Sequence, residues 1–255
     1  MKREMRRTES GDASRALLCG PGADEWIEDG NGLAAANRSE LAGHGVVAVN
    51  LMGGPASGRT QLVEATARAL AARHTGVVLA GPTAEAEARR LVRSGLPACA
   101  ITSRRQCHVD AEGLDGALQE FAWRCLDYLF VENVGGLVGP AFHDLGESVR
   151  VATLSVTEGA EQPLKYPDVF RSADLVVVTK ADLLPFLPGV SLDAIVRALA
   201  CVMRRPAFVV TSAATGQGLD TWIAWLERRR SRLRGVPSPS PFRAMEPSAL
   251  ELVSA

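Results

Sequence analysis

The chain of 255 residues carries 28 Lys and Arg against 29 Asp and Glu, a formal net charge of −1, with 47% hydrophobic and 22% charged residues. This is an ordinary globular composition with room for one large α/β domain or two small ones; near-neutrality excludes the broad basic surface of a nucleic-acid-binding protein, and no apolar run approaches the roughly 18–20 residues that span a bilayer. The basic start, MKREMRRTES, leads into no apolar segment and is not expected to be a secretory signal, while five scattered cysteines (Cys19, Cys99, Cys107, Cys125, Cys201) form no disulfide framework and fit a reducing cytoplasm.

Residues 1–25 mix charge with Ser14, Pro21 and Gly22 without a period, and are expected to form a flexible N-terminal segment. The body is expected over 26–234. Val46–Leu51 reads as a buried strand, followed by a helix over Thr60–His74 with Leu62, Val63, Ala67 and Leu70 at helical spacing. Further strands are predicted at Val77–Ala80, Ala98–Ile101, Tyr128–Val131, Val151–Val156, Leu175–Thr179 and Phe208–Thr211, and helices at Ala84–Arg93, Gly113–Cys125, Ser191–Met203 and Leu219–Arg234. Residues 235–255 hold Pro237, Pro239, Pro241 and Pro247 and read as a flexible tail. Continuous apolar strands alternating with helices predict an α/β fold, a mainly parallel central sheet with helices on both faces. Ligands of such sheets sit at the carboxyl ends of the strands, where all the motifs below fall.

Gly53-Gly54-Pro55-Ala56-Ser57-Gly58-Arg59-Thr60 follows the first strand and opens a helix. It matches the phosphate-loop pattern G-x-x-x-x-G-K-[ST] except that Arg59 stands for lysine. Glycines let the backbone curl and aim N–H groups at phosphate oxygens, and the helix start adds its positive dipole end. Thr60 is expected to place its hydroxyl on Mg²⁺, with Gln61 beside it, and Arg59 to reach the terminal phosphates. Arginine keeps the charge but is a planar fork, so the exchange is not conservative there. Thr179-Lys180-Ala181-Asp182 ends a strand and matches [NT]-K-x-D, in which the Asp accepts from guanine N1–H and the exocyclic amine together while the lysine stem covers the base. Ser212-Ala213 follows the next strand and is expected to offer a backbone N–H to the guanine carbonyl. Glu132-Asn133-Val134-Gly135 closes the strand YLFVE; Glu132 is expected to hold Mg²⁺ through water and the Gly135 amide to sense the γ-phosphate. A buried Glu without such a role would be costly. Together these elements predict a GTPase.

Beyond that generic pattern, the stretches VVAVNLMGGPASGRT, QCHVDAEGL, LFVENVGGLVGPAFHDLGE, LSVTEGAEQPLKYPDVFRSADLVVVTKADLLP and TSAATGQGL resemble, in sequence and order, the hydrogenase nickel-incorporation GTPase family HypB across about residues 31–230. The resemblance implies a P-loop NTPase fold of the SIMIBI class (signal-recognition-particle and MinD-like), a homodimer formed with GTP, and delivery of Ni²⁺ to nickel–iron hydrogenase in the cytoplasm. It implies as partners a hydrogenase accessory protein and the hydrogenase large-subunit precursor, with no nucleic acid or membrane. The chain departs from the family pattern at several places. Arg59 replaces the loop lysine; aligned without a gap, Gly81 falls on the magnesium-associated aspartate and Glu87 on the later one; and Gly139 in Leu137-Val138-Gly139-Pro140 stands where the family has a metal-binding cysteine. The family's C-x-x-C-G-C stretch is absent from this sequence.

The resemblance assigns the metal site to the adjacent Cys107 and His108. One thiolate and one imidazole cannot fill a closed tetrahedral Zn²⁺ site, but a two-fold dimer doubles them, and sulfur with imidazole suits Ni²⁺ or Zn²⁺. His143, four residues past Gly139, is the expected substitute for the lost cysteine. The resulting expectation is a GTP-binding metallochaperone that hydrolyses GTP slowly; the alternative is a non-catalytic, nucleotide-responsive adaptor in hydrogenase assembly, favoured by Arg59, Gly81 and Gly139. The related urease accessory GTPase fits KYPDVF and LVGPAFHDLGE less well.

Overall fold

The computed structural model describes residues 23–101, 109–133 and 143–235, with the backbone alone for 23–31. Seven strands form the centre: β1 (Val47–Gly53), β2 (Thr75–Ala80), β3 (Ala98–Ile101), β4 (Tyr128–Glu132), β5 (Val149–Ser155), β6 (Leu175–Thr179) and β7 (Phe208–Val210). They pair in the order β3-β2-β4-β1-β5-β6-β7, and every pairing is parallel. All seven coincide with predicted strands. The helices are α1 (Ala23–Gly43), α2 (Arg59–Ala69), α3 (Ala84–Arg93), α4 (Ala111–Glu120), α5 (Gln162–Lys165), α6 (Pro167–Ser172), α7 (Leu192–Val202) and α8 (Leu219–Leu233), with short 3-10 turns at Val156–Glu158 and Ala181–Phe186.

Alternation along the strands decides which layer each residue joins. Val47, Val49 and Leu51 of β1, with Tyr128 and Phe130 of β4, pack against Leu62 and Val63 of α2, Leu91 of α3 and Trp222 and Leu226 of α8. The intervening Val46, Ala48, Leu129 and Val131 meet Leu41 of α1 and Leu114 and Leu118 of α4. On that same face β5 and β6 are covered by Val169 and Phe170 of α6 and by Ile195 and Leu199 of α7. Helices therefore lie on both faces of a parallel sheet. Among the described residues no helix is long and apolar enough to cross a membrane.

Two predicted helices end early, the one expected over Thr60–His74 at Ala69 and the one over Gly113–Cys125 at Glu120, and three further helices were not expected. Helix α1 begins at Ala23, inside the stretch expected to be flexible. Its interior Gly30 and Gly32 weaken the helical signal, and much of its docking is polar. Buried Asn37 donates through Nδ2 to the carbonyls of Ala111 (2.9 Å) and Leu145 (3.0 Å), and Arg38 bridges Asp144 at 2.6 Å. Gly146 is required at this junction, because a Cβ there would lie 2.3 Å from the Ala34 carbonyl oxygen. Short helices α5 and α6 have proline at N1 or N2, where its missing N–H costs nothing. Prolines in so short a stretch mark a loop as readily as a helix start.

At the amino ends of the strands, Asp127 gathers the His74 backbone N–H (3.0 Å), Arg230 (2.5 Å) and Arg234 (3.1 Å). Burial works to raise its carboxyl, but the His74 N–H and the Arg230 guanidinium outweigh that and hold it below the ordinary value. The network fastens α8 to the end of the sheet opposite the motifs.

Candidate functional site

The carboxyl ends of β1, β4, β5, β6 and β7 meet along one edge of the sheet, and the predicted nucleotide residues collect there. β1 ends at Gly53; the loop of Gly54, Pro55, Ala56 and Ser57 leads to Gly58, which caps α2. The approach is too close for any side chain at position 53: a Cβ would lie 2.2 Å from Thr153 Oγ1 and 2.6 Å from Ser57 Oγ. Those two hydroxyls are themselves bonded at 2.8 Å, so β5 grips the loop from behind.

From the next strand, Thr179 Oγ1 donates to the Ser57 carbonyl at 2.6 Å, and Lys180 Nζ to the Ala56 carbonyl at 2.7 Å. Ala56 (φ 64°) and Lys180 (φ 59°) are the two non-glycine residues with positive φ among those described, and this bond joins them. Left-handed backbone costs a non-glycine residue about 1–2 kcal/mol, strain that persists where the surroundings enforce it. Two of its carbonyls, those of Ala56 and Ser57, are thus tied back into the protein, and the Ser57 N–H bonds the Gly54 carbonyl at 3.1 Å, while the N–H groups of the first turn of α2 have no partner within that helix.

Thr60 Oγ1 donates to Glu132 Oε2 at 2.8 Å, bringing together the two residues predicted to share Mg²⁺. Glu132 is buried, and its Oε1 has no hydrogen-bond partner. Burial pushes its carboxyl up to about 7, against the smaller opposing effects of the Thr60 hydrogen bond and the Arg59 charge. Arg59 extends away from the loop and donates through Nη1 to the Asn133 carbonyl; burial lowers its pKa, opposed by Glu132, Glu87 and Glu158. Gly81, after β2, offers no carboxylate, and Glu87 of α3 accepts from Thr83 Oγ1 at 3.0 Å.

Asp182, in the turn after Lys180, lines a cleft of about 390 Å³ together with Gly58, exposed Gln61, Thr179, Lys180 and Ala213. Ser212 is used within its own turn: its N–H bonds the Gln217 carbonyl at 3.0 Å and its hydroxyl accepts from the Thr215 N–H at 3.2 Å. Of the Ser212-Ala213 pair, Ala213 is the one that lines the cleft.

Several contributors were not visible in the sequence. Thr153, Asn133 and Glu158 earn their places through neighbours on other strands; Glu158 accepts from the Ser155 N–H at 2.8 Å, and burial raises its carboxyl in the field of Lys180 and Arg59. Cys107, His108 and Gly135 lie outside the described residues. His143 lies within them, with its carbonyl accepting from Arg150 Nη2 at 3.3 Å. Among the described residues no group of three or more His, Cys, Asp or Glu side chains is arranged to hold a metal ion.

Residues 47–200 match the family model described as CobW/HypB/UreG, nucleotide-binding domain. The hydrogenase maturation factor HypB of Azotobacter vinelandii is 42% identical over 207 residues, an alignment covering 79% of this chain and 67% of that protein. Among solved structures, HypB from Archaeoglobus fulgidus superposes with a TM-score of 0.73 at 34% identity, covering 81% of this chain and all of that one. HypB from Helicobacter pylori, solved in complex with nickel, gives 0.75 at 27% identity, covering 84% of this chain and all of that one.

Proposed function

Because the chain belongs to the HypB family of CobW/HypB/UreG nucleotide-binding proteins, we propose that it is a GTP-binding metallochaperone with slow GTPase activity, delivering nickel during maturation of nickel–iron hydrogenase. The observation that carries this reading is the pairing of Thr60 with a buried Glu132 whose second oxygen lacks a partner, set beside a loop tied back by Thr179 and Lys180. A hydroxyl and a carboxylate with one orphaned oxygen fit Mg²⁺, which would neutralise phosphate charge there. The backbone N–H groups of the 53–60 loop, which Pro55 lacks, bind the phosphates, Arg59 contacts their terminal end, Gly135 senses the γ-phosphate, and Asp182, Lys180 and Ala213 select guanine. Cys107 and His108, with His143 in support, take Ni²⁺ or Zn²⁺ from two copies of the chain. The body at 26–234, extended to Ala23 by α1, is the GTPase domain of a cytoplasmic protein whose partners are a hydrogenase accessory protein and the large-subunit precursor.

Slow hydrolysis follows from Arg59. Phosphoryl transfer is mostly positioning and charge stabilisation, and a planar guanidinium engaged by the Asn133 carbonyl serves the transition state less well than a compact ammonium. Arg59→Lys is expected to raise single-turnover hydrolysis with Mg²⁺ by about tenfold while changing affinity less, since one well-placed cation is worth at least that factor. A decrease contradicts this account. The alternative adaptor, without hydrolysis or nickel, is favoured by Gly81 standing where the family's aspartate is expected; single-turnover hydrolysis and a nickel titration of the reduced protein separate the two.

Glu132 gives a pH prediction. Its folded-state carboxyl holds its proton more tightly than the unfolded chain does. The associated stability is therefore full below the ordinary value of 4.5, declines as pH rises, and is lost above about 7. The shift corresponds to a penalty of roughly 3 kcal/mol in the ionised, ligand-free protein. Glu132→Gln, which keeps an acceptor for Thr60, is expected to flatten this decline and to raise the ligand-free melting midpoint at pH 8. An unchanged melting curve across pH 5–8 contradicts the assignment.

A further inference from the structure

Asn133, immediately after β4, bonds to the phosphate loop, to the approach to α4 and to β1. Its carbonyl accepts from Arg59 Nη1 of the phosphate loop, and its side-chain Oδ1 accepts from the Val109 backbone N–H at 2.9 Å. Asn133 is 1% exposed and Val109 fully buried, and its own N–H joins the Leu51 carbonyl of β1 at 3.3 Å. Val109 leads directly into α4 through Asp110, whose carboxylate caps that helix on the Gly113 N–H at 2.8 Å. The start of α4 is held a second time, from the other side, by the Asn37 bond to the Ala111 carbonyl.

We propose that Asn133 is a positioning residue through which the occupancy of the phosphate loop reaches the start of α4. The proposal rests on the nucleotide-binding reading above. A guanidinium bonded to a neutral carbonyl is open to competition from a polyphosphate, because hydrogen bonds between ionised partners are about twice as strong as neutral ones. When Arg59 turns to the terminal phosphate, the Asn133 carbonyl loses the Arg59 bond and the residue resettles at the end of β4. The amide oxygen is only two rotatable bonds from that backbone and sits in a close-packed interior, so the Val109 contact follows. Asn37, on α1, bonds the Ala111 and Leu145 carbonyls and keeps the start of α4 fixed. One anchor of the α4 start is thus nucleotide-responsive and the other constant.

The test is amide hydrogen exchange over 109–118 in the full chain, with Mg²⁺ and either GDP or a non-hydrolysable GTP analogue. Wild-type protein is expected to exchange this segment at rates differing at least about fivefold between the two nucleotides, the lower end of ordinary site-to-site coupling. Asn133→Ala is expected to abolish the difference, and Asn133→Asp, which keeps the acceptor oxygen, to retain it. Arg59→Met in the nucleotide-free protein is expected to speed exchange at Val109, a reading that needs no change at Asn133. The proposal is overturned if Asn133→Ala keeps the wild-type difference, if Arg59→Met leaves Val109 unchanged, or if wild-type protein binds both nucleotides with identical exchange. Wild-type protein that binds neither nucleotide overturns the nucleotide reading as well, so the two failures are distinguishable.

Discussion

Gly53→Ala is expected to weaken GTP and GDP binding by more than about a hundredfold, roughly 2.7 kcal/mol. Position 53 is the last of β1 and is hemmed in by β5. A methyl group there would sit 2.2 Å from Thr153 Oγ1 and 2.9 Å from the Thr153 carbonyl oxygen, well inside any tolerable contact. The flexible member of this junction is the loop itself, since Thr153 is fixed by the sheet and by its bond to the Met52 carbonyl at 3.1 Å. The loop yields, the Ser57–Thr153 hydroxyl pair separates, and the amides leave their common centre. Calorimetric titration of the variant, with circular dichroism to confirm its helix content, checks this; affinity within threefold of wild type would show that the loop does not depend on its grip by β5.

Asp182→Asn is the second large effect, directed at the base instead of the phosphates. A carboxylate accepting from two guanine donors forms charge-assisted bonds, and the amide replaces one acceptor with a donor that opposes the base's own. GTP and GDP affinities are expected to fall about 100- to 1000-fold. Xanthosine nucleotides, which carry a carbonyl where guanine has its amine, should regain most of the loss. Recovery with xanthosine diphosphate distinguishes base recognition from unfolding. The framework supports so local a change: the 3-10 turn holding Asp182 is anchored by the Ala181 N–H on the Thr211 carbonyl at 3.1 Å, whatever the side chain at 182. Equal losses for both bases would remove Asp182 from the base site.

The strands were legible because each is a short apolar run, and the central β1, β4 and β6 are buried along their whole length, a pattern a helix of similar length does not need. Helix α3 was legible for the opposite reason, with Ala84, Ala88 and Leu91 on one face of an otherwise charged segment. Helix α1 was not: its anchor Asn37 and its partner Gly146 lie 109 residues apart, and neither looks apolar in sequence. At the candidate site, spacing alone brought out the phosphate loop, Thr60 with Glu132, and Lys180 with Asp182, since each motif occupies a strand end. The supports behind them did not show. Thr153 reads as an ordinary strand residue until β5 is set beside β1, and Asn133 as a turn residue until β4 brings it between Arg59 and Val109. Local sequence announces groups that face a ligand; groups that brace them are defined by the pairing of distant segments.

The central claim is that the loop between β1 and α2 binds a guanine nucleotide although an arginine stands in the lysine position. Isothermal titration of nucleotide-stripped protein with Mg²⁺ and GTP, run beside ATP, tests it most directly. The account predicts saturable one-site heat with GTP and dilution heat alone with ATP; dilution heat from both, or equal affinity for both, would contradict it.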